Sequence, residues 1–502
     1  MLRSISVAAL VTIALATAAR ADDEPPPAPT GADETPEPTE PTEASEDDHV
    51  HEDADFGPVI VIEAIEISGN TATQAQIIRR ALPVTEGDAV HASDPRLRDI
   101  RYKIFALGYF RDVTLEMRKG SARGRVVIAI RVAERGTFVL NRLWFGTNSL
   151  SPYWLGADVG DRNLLGMGLT LGGGIIYAAH GNIAGSRDQW AGELRLANGS
   201  IAGTRWGALG SMTLVHGSET YRVAGAPDDT SSANFNAFPY RRFGGRLGAT
   251  YDASALARLS MTLRLEQINA ALPAAPTQFL PDGRDVPVDL LLKPGGSSVV
   301  TVGFGFDRDS RPDPVLPHSG GRITTSVELG TSAIGSSYDF ATLFARYEHW
   351  WPLFRDERHA IGVKLAGGVV LGNAPRFDRI HISDVDHMLT PRALGMVLSD
   401  APPLAILGTR ADKPDYGDVG GSAIVEYAAR LWRGRRQSRV YGADVFVGTG
   451  LWGLATTDQL RVRDLSAYKA LPVDFYADAG VRIDTEVGVF ELTIANALGR
   501  LR

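Results

Sequence analysis

The residues best equipped for chemistry sit in two loop-like stretches. His381, Asp384, Asp386 and His387, in HISDVDH, mix imidazoles and carboxylates at spacings that could bind a metal ion. His49 and His51 stand beside Glu52 and Asp53 in the same way. Both groups lie in charged, polar surroundings, where a solvated charge run is the simpler reading. The chain has no cysteine, so it has neither a thiol nucleophile nor a disulfide. No GxSxG elbow, HExxH helix or Walker loop occurs. The glycine clusters at Gly172–Gly174 and at Gly303 and Gly305 fall inside strand-like segments, where glycine serves curvature and close packing. The expectation is no catalytic residue, no metal, no cofactor, no enzyme activity and no nucleic-acid partner.

The elements carrying these residues are strands. Fifteen stretches between about Thr137 and Leu498 alternate apolar and polar residues. They are Phe138–Gly146, Tyr153–Asn163, Gly168–Ala178, Gln189–Ala197, Arg205–Val215, Arg242–Tyr251, Ala257–Ile268, Ser298–Asp307, Gly321–Gly330, Tyr338–Pro352, Ala360–Gly372, Gly420–Trp432, Arg439–Trp452, Val473–Asp484 and Gly488–Leu498. In the fourteenth, Val473, Phe475, Ala477, Ala479, Val481 and Ile483 share one face, and Asp474, Tyr476, Asp478, Arg482 and Asp484 the other. A soluble sheet would solvate the charged face. A transmembrane barrel turns the apolar face to lipid and the charged face to a wet lumen, and mean hydropathy near zero suits it. Phe475, Val481, Phe490, Leu492 and Ile494 are expected to face lipid. Short turns on one side and long stretches at His216–Tyr240, Asn269–Gly296 and Asn373–Val419 on the other give the outer-membrane arrangement.

The chain before the barrel divides in three. Met1–Ala21 reads as a secretory signal: Arg3, an apolar run to Ala19, and a small-x-small site before Asp22. Residues 22–57 hold fourteen acidic and no basic side chains, with abundant proline, and read as a disordered tail. The whole chain carries −8 and the leader +2, so residues 58–502 carry +4. Residues 58–135 read β-α-α-β-β: a strand at Val59–Ser68, a helix opened by Thr71 or Thr73, a second helix begun by Asp94-Pro95, and strands at Asp112–Arg118 and Arg125–Ala133.

That order, the ISGN turn at Ile67–Asn70 and the LGYFRDV exit at Leu107–Val113 resemble a POTRA domain. Gly160–Gly168 (GDRNLLGMG) resembles an early barrel turn of the BamA/TamA-like superfamily. Asp309–Gly320 (DSRPDPVLPHSG) matches its D-x-R-x-x-P-x-x-P-x-x-G turn at Asp309, Arg311, Pro314, Pro317 and Gly320. VGGSAIVEYAARL from Val419 and VYGADVFVGTG from Val440 are similar to its strand pair after the long sixth loop. The resemblance implies a mainly β chain with a barrel of about sixteen strands over residues 137–502, fifteen of them counted here. It also implies a loop arginine folded back into the lumen. Arg392, in TPRALGM, stands at that place, with Ala393-Leu394 replacing Gly-Phe/Tyr. Glu426 and Asp444 face the lumen by alternation and are its candidate partners. The implied setting is the outer membrane of a Gram-negative bacterium, with module and tail in the periplasm. The implied partners are membrane lipid, periplasmic assembly factors and extended client polypeptides added to the POTRA sheet edge. The implied function is insertion or translocation of polypeptides. A passive channel or structural barrel, and a two-partner secretion transporter, stay open beside it.

Overall fold

The computed structural model describes residues 59–91, 93–146, 152–201, 204–225, 231–254, 256–313, 316–354, 358–381, 416–433, 439–457, 473–485 and 487–500. The leader, the acidic tail, Pro314, Arg392 and most of HISDVDH lie outside the described residues.

The N-terminal module is a four-stranded sheet, order β2-β1-β4-β3, with two helices. Its strands are β1 (Val59–Ser68), β2 (Ala89–His91), β3 (Phe110–Lys119) and β4 (Arg125–Glu134). Its helices are α1 (Ala75–Ala81) and α2 (Pro95–Ala106). Asp94 caps α2 by accepting from Arg96 N–H at 2.8 Å, and Pro95 begins it. Ile62, Ile65, Ile78, Ile100, Ile104, Val113 and Ile130 form the core. Two details depart from the sequence reading. The three-residue β2 is an addition to the β-α-α-β-β order. Helix α1 also starts late, behind Gln74, which supplies no side-chain cap. The threonines expected to open it are engaged elsewhere: Thr71 bonds Glu134, and the Thr73 hydroxyl accepts from Asn163 of the barrel at 2.8 Å.

The barrel is a fifteen-stranded antiparallel meander in which each strand pairs with the next. Its strands are β5 (Phe138–Gly146), β6 (Trp154–Leu164), β7 (Leu169–Ala178), β8 (Gln189–Asn198), β9 (Trp206–Arg222), β10 (Phe235–Asp252) and β11 (Ala257–Ala270). A hairpin of β12 (Thr277–Phe279) and β13 (Asp285–Pro287) interrupts the wall, which resumes with β14 (Gly295–Asp309), β15 (Gly320–Gly330), β16 (Phe340–Pro352) and β17 (His359–Gly372). A two-residue ribbon of β18 (Ile380–His381) and β19 (Tyr416–Gly417) precedes β20 (Val419–Arg433), β21 (Val440–Ala455), β22 (Val473–Thr485) and β23 (Gly488–Arg500).

All fifteen expected segments are strands, mostly within a few residues of their expected ends. The exception is the expected loop His216–Tyr240. There β9 runs on to Arg222 and β10 starts at Phe235, so much of the stretch is paired strand. The side-chain pattern is that of a membrane wall. On β11, Leu259, Met261, Leu263 and Leu265 are 41–53% exposed, while Arg264 and Glu266 between and beside them are 6–7% exposed. Apolar groups outside and ions inside reverse the soluble order and fit lipid contact. Phe490 and Leu492 on β23 face outward as expected. Among the described residues no helix is long and apolar enough to cross a membrane.

Candidate functional site

Three features meet the chemistry expected of such a barrel: a loop segment in the lumen, a buried turn motif and an incomplete seam.

The long loop after β17 sends a short segment into the lumen. Arg376–Asp378 forms a short helical turn whose three residues are all buried. Phe377 packs on Tyr240, with ring centroids 4.5 Å apart, among Phe238, Leu290, Tyr338 and Phe340. Arg376 donates to the Thr220 carbonyl at 2.8 Å. Asp378 accepts from both Nη atoms of Arg264, at 2.8 and 2.9 Å. Arg264 also reaches Glu328 at 2.9 Å and Glu266 at 3.1 Å. Arg242 pairs with Glu266, and Arg246 with Glu328 at 3.2 Å. Three guanidiniums and three carboxylates balance, and mutual pairing is what makes their burial tolerable. At the loop's base Arg379 pairs with Asp418, which also accepts from the Thr457 N–H and hydroxyl at 2.7 and 2.8 Å.

The proline-rich turn between β14 and β15 folds against the barrel interior. Arg311 forks onto Asp309 at 2.9 and 2.7 Å and reaches Glu348 at 3.1 Å, whose other oxygen accepts from Trp350 Nε1 at 2.6 Å. His318, next to Pro317 in the second half of the motif, lies 2.6 Å through Nε2 from Asp444. Gly320 closes the turn at φ +79°, where a Cβ would sit 2.6 Å from the Ser310 carbonyl oxygen. Glu426 and Asp444 are both buried in the lumen, as alternation implied. Glu426 is held by Lys364 at 2.8 Å and by the Arg482 fork. Thus the wall itself supplies a cation to Glu426, the turn supplies an imidazole to Asp444, and Arg392 lies outside the described residues.

The seam lies between β5 and β23, the two ends of the meander. An odd count makes these strands run in the same direction, so they cannot continue the antiparallel ladder. Leu140 N–H donates to the Val487 carbonyl at 2.7 Å. By contrast, β22 and β23 pair along their whole length, from Asp474–Arg500 to Thr485–Gly488. The module docks at this end of the barrel. Strand β3 lies at one edge of its sheet, and the Glu116–Lys119 end of that strand is exposed.

Glu134, outside the barrel, shows how tightly the module's turn is tied. Burial pushes its pKa up, but four donors outweigh this and hold it below the ordinary range. The donors are Thr71 N–H at 2.9 Å, Thr71 Oγ1 at 2.6 Å, Ala72 N–H at 2.8 Å and Thr73 N–H at 2.7 Å. Sequence reasoning missed Arg376, Phe377, Asp378 and His318. The first three sit in a loop without periodicity; the only hint is Pro375 followed by alternating charges. Among the described residues no His, Cys, Asp and Glu group is arranged to hold a metal.

No protein-family model matches the chain. It is 38% identical over 80 residues to outer membrane protein assembly factor BamA of Neorickettsia risticii (strain Illinois). That stretch is 16% of this chain and 10% of that relative's length. CdiB from Escherichia coli is similar in structure with a TM-score of 0.57 at 12% identity, over 88% of this chain and 73% of that one. CdiB from Acinetobacter baumannii gives 0.50 at 12% identity, over 88% and 74%. In fold, the chain is therefore similar to the two CdiB structures.

Proposed function

We propose that this barrel assists the insertion or translocation of polypeptides at a Gram-negative outer membrane, with the module on the periplasmic side. The observation that carries the reading is the seam. The wall's first strand is joined at one end by a hydrogen bond to the turn that opens the last, beside a module whose edge strand is exposed at Glu116–Lys119. An unpaired edge is a template for another strand, and pairing satisfies every backbone group a client must bury in lipid. The driving force is the client's own hydrogen bonding and burial, with no nucleotide involved. An extended client adding to β3 would meet the exposed Met117.

A second reading, a two-partner secretion transporter, is favoured by one observation. A loop segment, Arg376–Asp378, enters the lumen, so its withdrawal would widen a path. Depletion followed by quantitative membrane and secreted proteomics separates the readings. Loss of many barrel proteins supports assembly, and loss of a single secreted polypeptide supports the transporter. An unchanged proteome, with no client cross-linked to a photoreactive residue at position 117, would overturn both.

A further inference from the structure

Among the described residues the module touches the barrel at places on opposite sides of the seam, of which two stand out. One is the turn joining β6 and β7, the second and third strands counted from β5. There Asn163 Nδ2 donates to Thr73 Oγ1 at 2.8 Å, with both residues 2% exposed. Gln74 N–H donates to the Gly166 carbonyl at 3.1 Å, and Gln74 Nε2 to the Leu165 carbonyl at 3.3 Å. Gly166 has φ +70°, and a Cβ there would stand 2.1 Å from the Ala72 carbonyl oxygen. The turn is thus shaped for close backbone contact with the module. Asn163 also accepts from Gly168 N–H at 2.7 Å, so one side chain both builds the turn and binds the module.

The other place is on β21 and β22, the third and second strands counted from β23. Arg135 Nη2 donates to Asp484 at 2.5 Å. The Arg135 and Arg111 guanidiniums lie 5.0 and 5.7 Å from the Tyr441 ring centroid. Arg135 is itself fixed to the module, since its N–H donates to the Tyr109 carbonyl at 2.8 Å.

We propose that the docked module is a clasp across the seam: its two arms, more than β5–β23 pairing, hold the near end of the wall shut. The argument is one of relative strength. Elsewhere around the wall each joint is a full ladder, so no external brace is required there. At the seam the strands run the same way and meet beside Leu140 and Val487. The arms differ in reach. Arg135 is the first residue of the three-residue link to β5, close to any pivot, whereas Thr73 and Gln74 lie on the body of the module. A swing about the link therefore breaks the Asn163 arm first and leaves the Asp484 arm as a tether. The clasp does not depend on which client the barrel serves.

The cysteine-free chain allows a direct test. The full-length protein in detergent would carry Leu140→Cys with Val487→Cys as a seam probe, and the rate of oxidative cross-linking would be read. Asn163→Ala should slow cross-linking about tenfold, the shift expected for losing a buried hydrogen-bonded pair. Gln74→Pro is a gentler version. Gln74 has φ −63°, which proline adopts, so the change removes the two Gln74 donors, to Gly166 and Leu165, without straining the backbone there. Asp484→Asn should slow cross-linking less than Asn163→Ala. Heat-modifiable gel mobility reports whether each barrel is folded. Folded Gln74→Pro and Asn163→Ala variants that cross-link at the parental rate would overturn the clasp. No client is used, so this failure is distinct from failure of the proposed function.

Discussion

The module and the barrel hide opposite things. In the module, Ile62, Ile78 and Ile104 are fully buried, and its exposed surface carries charges such as those of Arg79 and Glu86. In the barrel, Arg242, Arg264 and Glu266 are buried, and Leu247, Leu263 and Leu492 are exposed. Both are sheets built from alternating residues. The difference is the solvent beyond the outer face: water draws ions outward and lipid draws side-chain carbons outward. A strand's period thus gives its two faces but not their direction. Closure decides that, because a barrel of this kind has no covering helices on its outside.

Substitutions can break this comparison. The largest effect should come from Arg264→Ala. It would take the guanidinium from Asp378 and leave Glu266 and Glu328 with only Arg242 and Arg246, and breaking a buried ionic cluster on one side costs about 3–5 kcal/mol. Urea unfolding in detergent micelles measures it; an unchanged midpoint would mean that water already reaches the cluster.

Truncating an apolar residue should then have unequal consequences in the two regions. Ile104→Ala in the module should cost about 2–5 kcal/mol through the cavity it leaves. Leu263→Ala on the barrel's outer face should cost less, up to about 2 kcal/mol, because lipid fills the space and only the transfer of the lost carbons remains. Equal losses in paired unfolding curves would abolish the distinction.

Charge sharpens it from the other side. Leu263→Arg should cost about 2–4 kcal/mol if the position lies near mid-bilayer, declining toward either interface. Membrane-assembled yield and heat-modifiable mobility report this, and a fully tolerated arginine would place Leu263 outside the hydrocarbon.

A further small effect is expected of Glu134→Gln, under about 1 kcal/mol once partial solvent access is allowed for. Glu134 has a lowered pKa in the folded module. Its contribution is therefore complete above the unfolded value, about 4.3, and disappears as pH falls through the lower folded value. Module stability followed by circular dichroism should decline on acidification in the parent and decline less in the glutamine variant.

Much of the fold is legible in the sequence because alternation acts locally and survives in every wall strand. The β9–β10 hairpin shows its limit. Beyond the membrane both faces meet water or loops, so Ser218–Tyr221 and Asn236–Tyr240 continue the ladder without a clean apolar face. The late start of α1 has a different cause. Thr73 looks like a cap, but its hydroxyl bonds a residue 90 positions away, which no local pattern records. The site was legible in part for the same reasons. Arg311 and Gly320 belong to a spaced motif, and Glu426 and Asp444 to alternating strands. Their partners Lys364, Arg482 and His318 come from other elements. Asp378 arrives from a loop whose lumen role no period announces.

The carboxylate of Asp378 also bears on the order of events when the chain folds. It is 114 residues from Arg264, and it sits in a loop that can enter only after β10, β11, β14 and β15 have raised the walls around it. Until it arrives, Arg242, Arg246 and Arg264 outnumber Glu266 and Glu328. The growing lumen therefore carries an excess positive charge that attracts the incoming turn. Closing so long a loop is slow in entropic terms, and nothing local rewards it earlier. Entry of this segment is accordingly a late step, timed by electrostatics after the wall is built. It should appear as a slow second folding phase that Asp378→Asn weakens while the first phase persists.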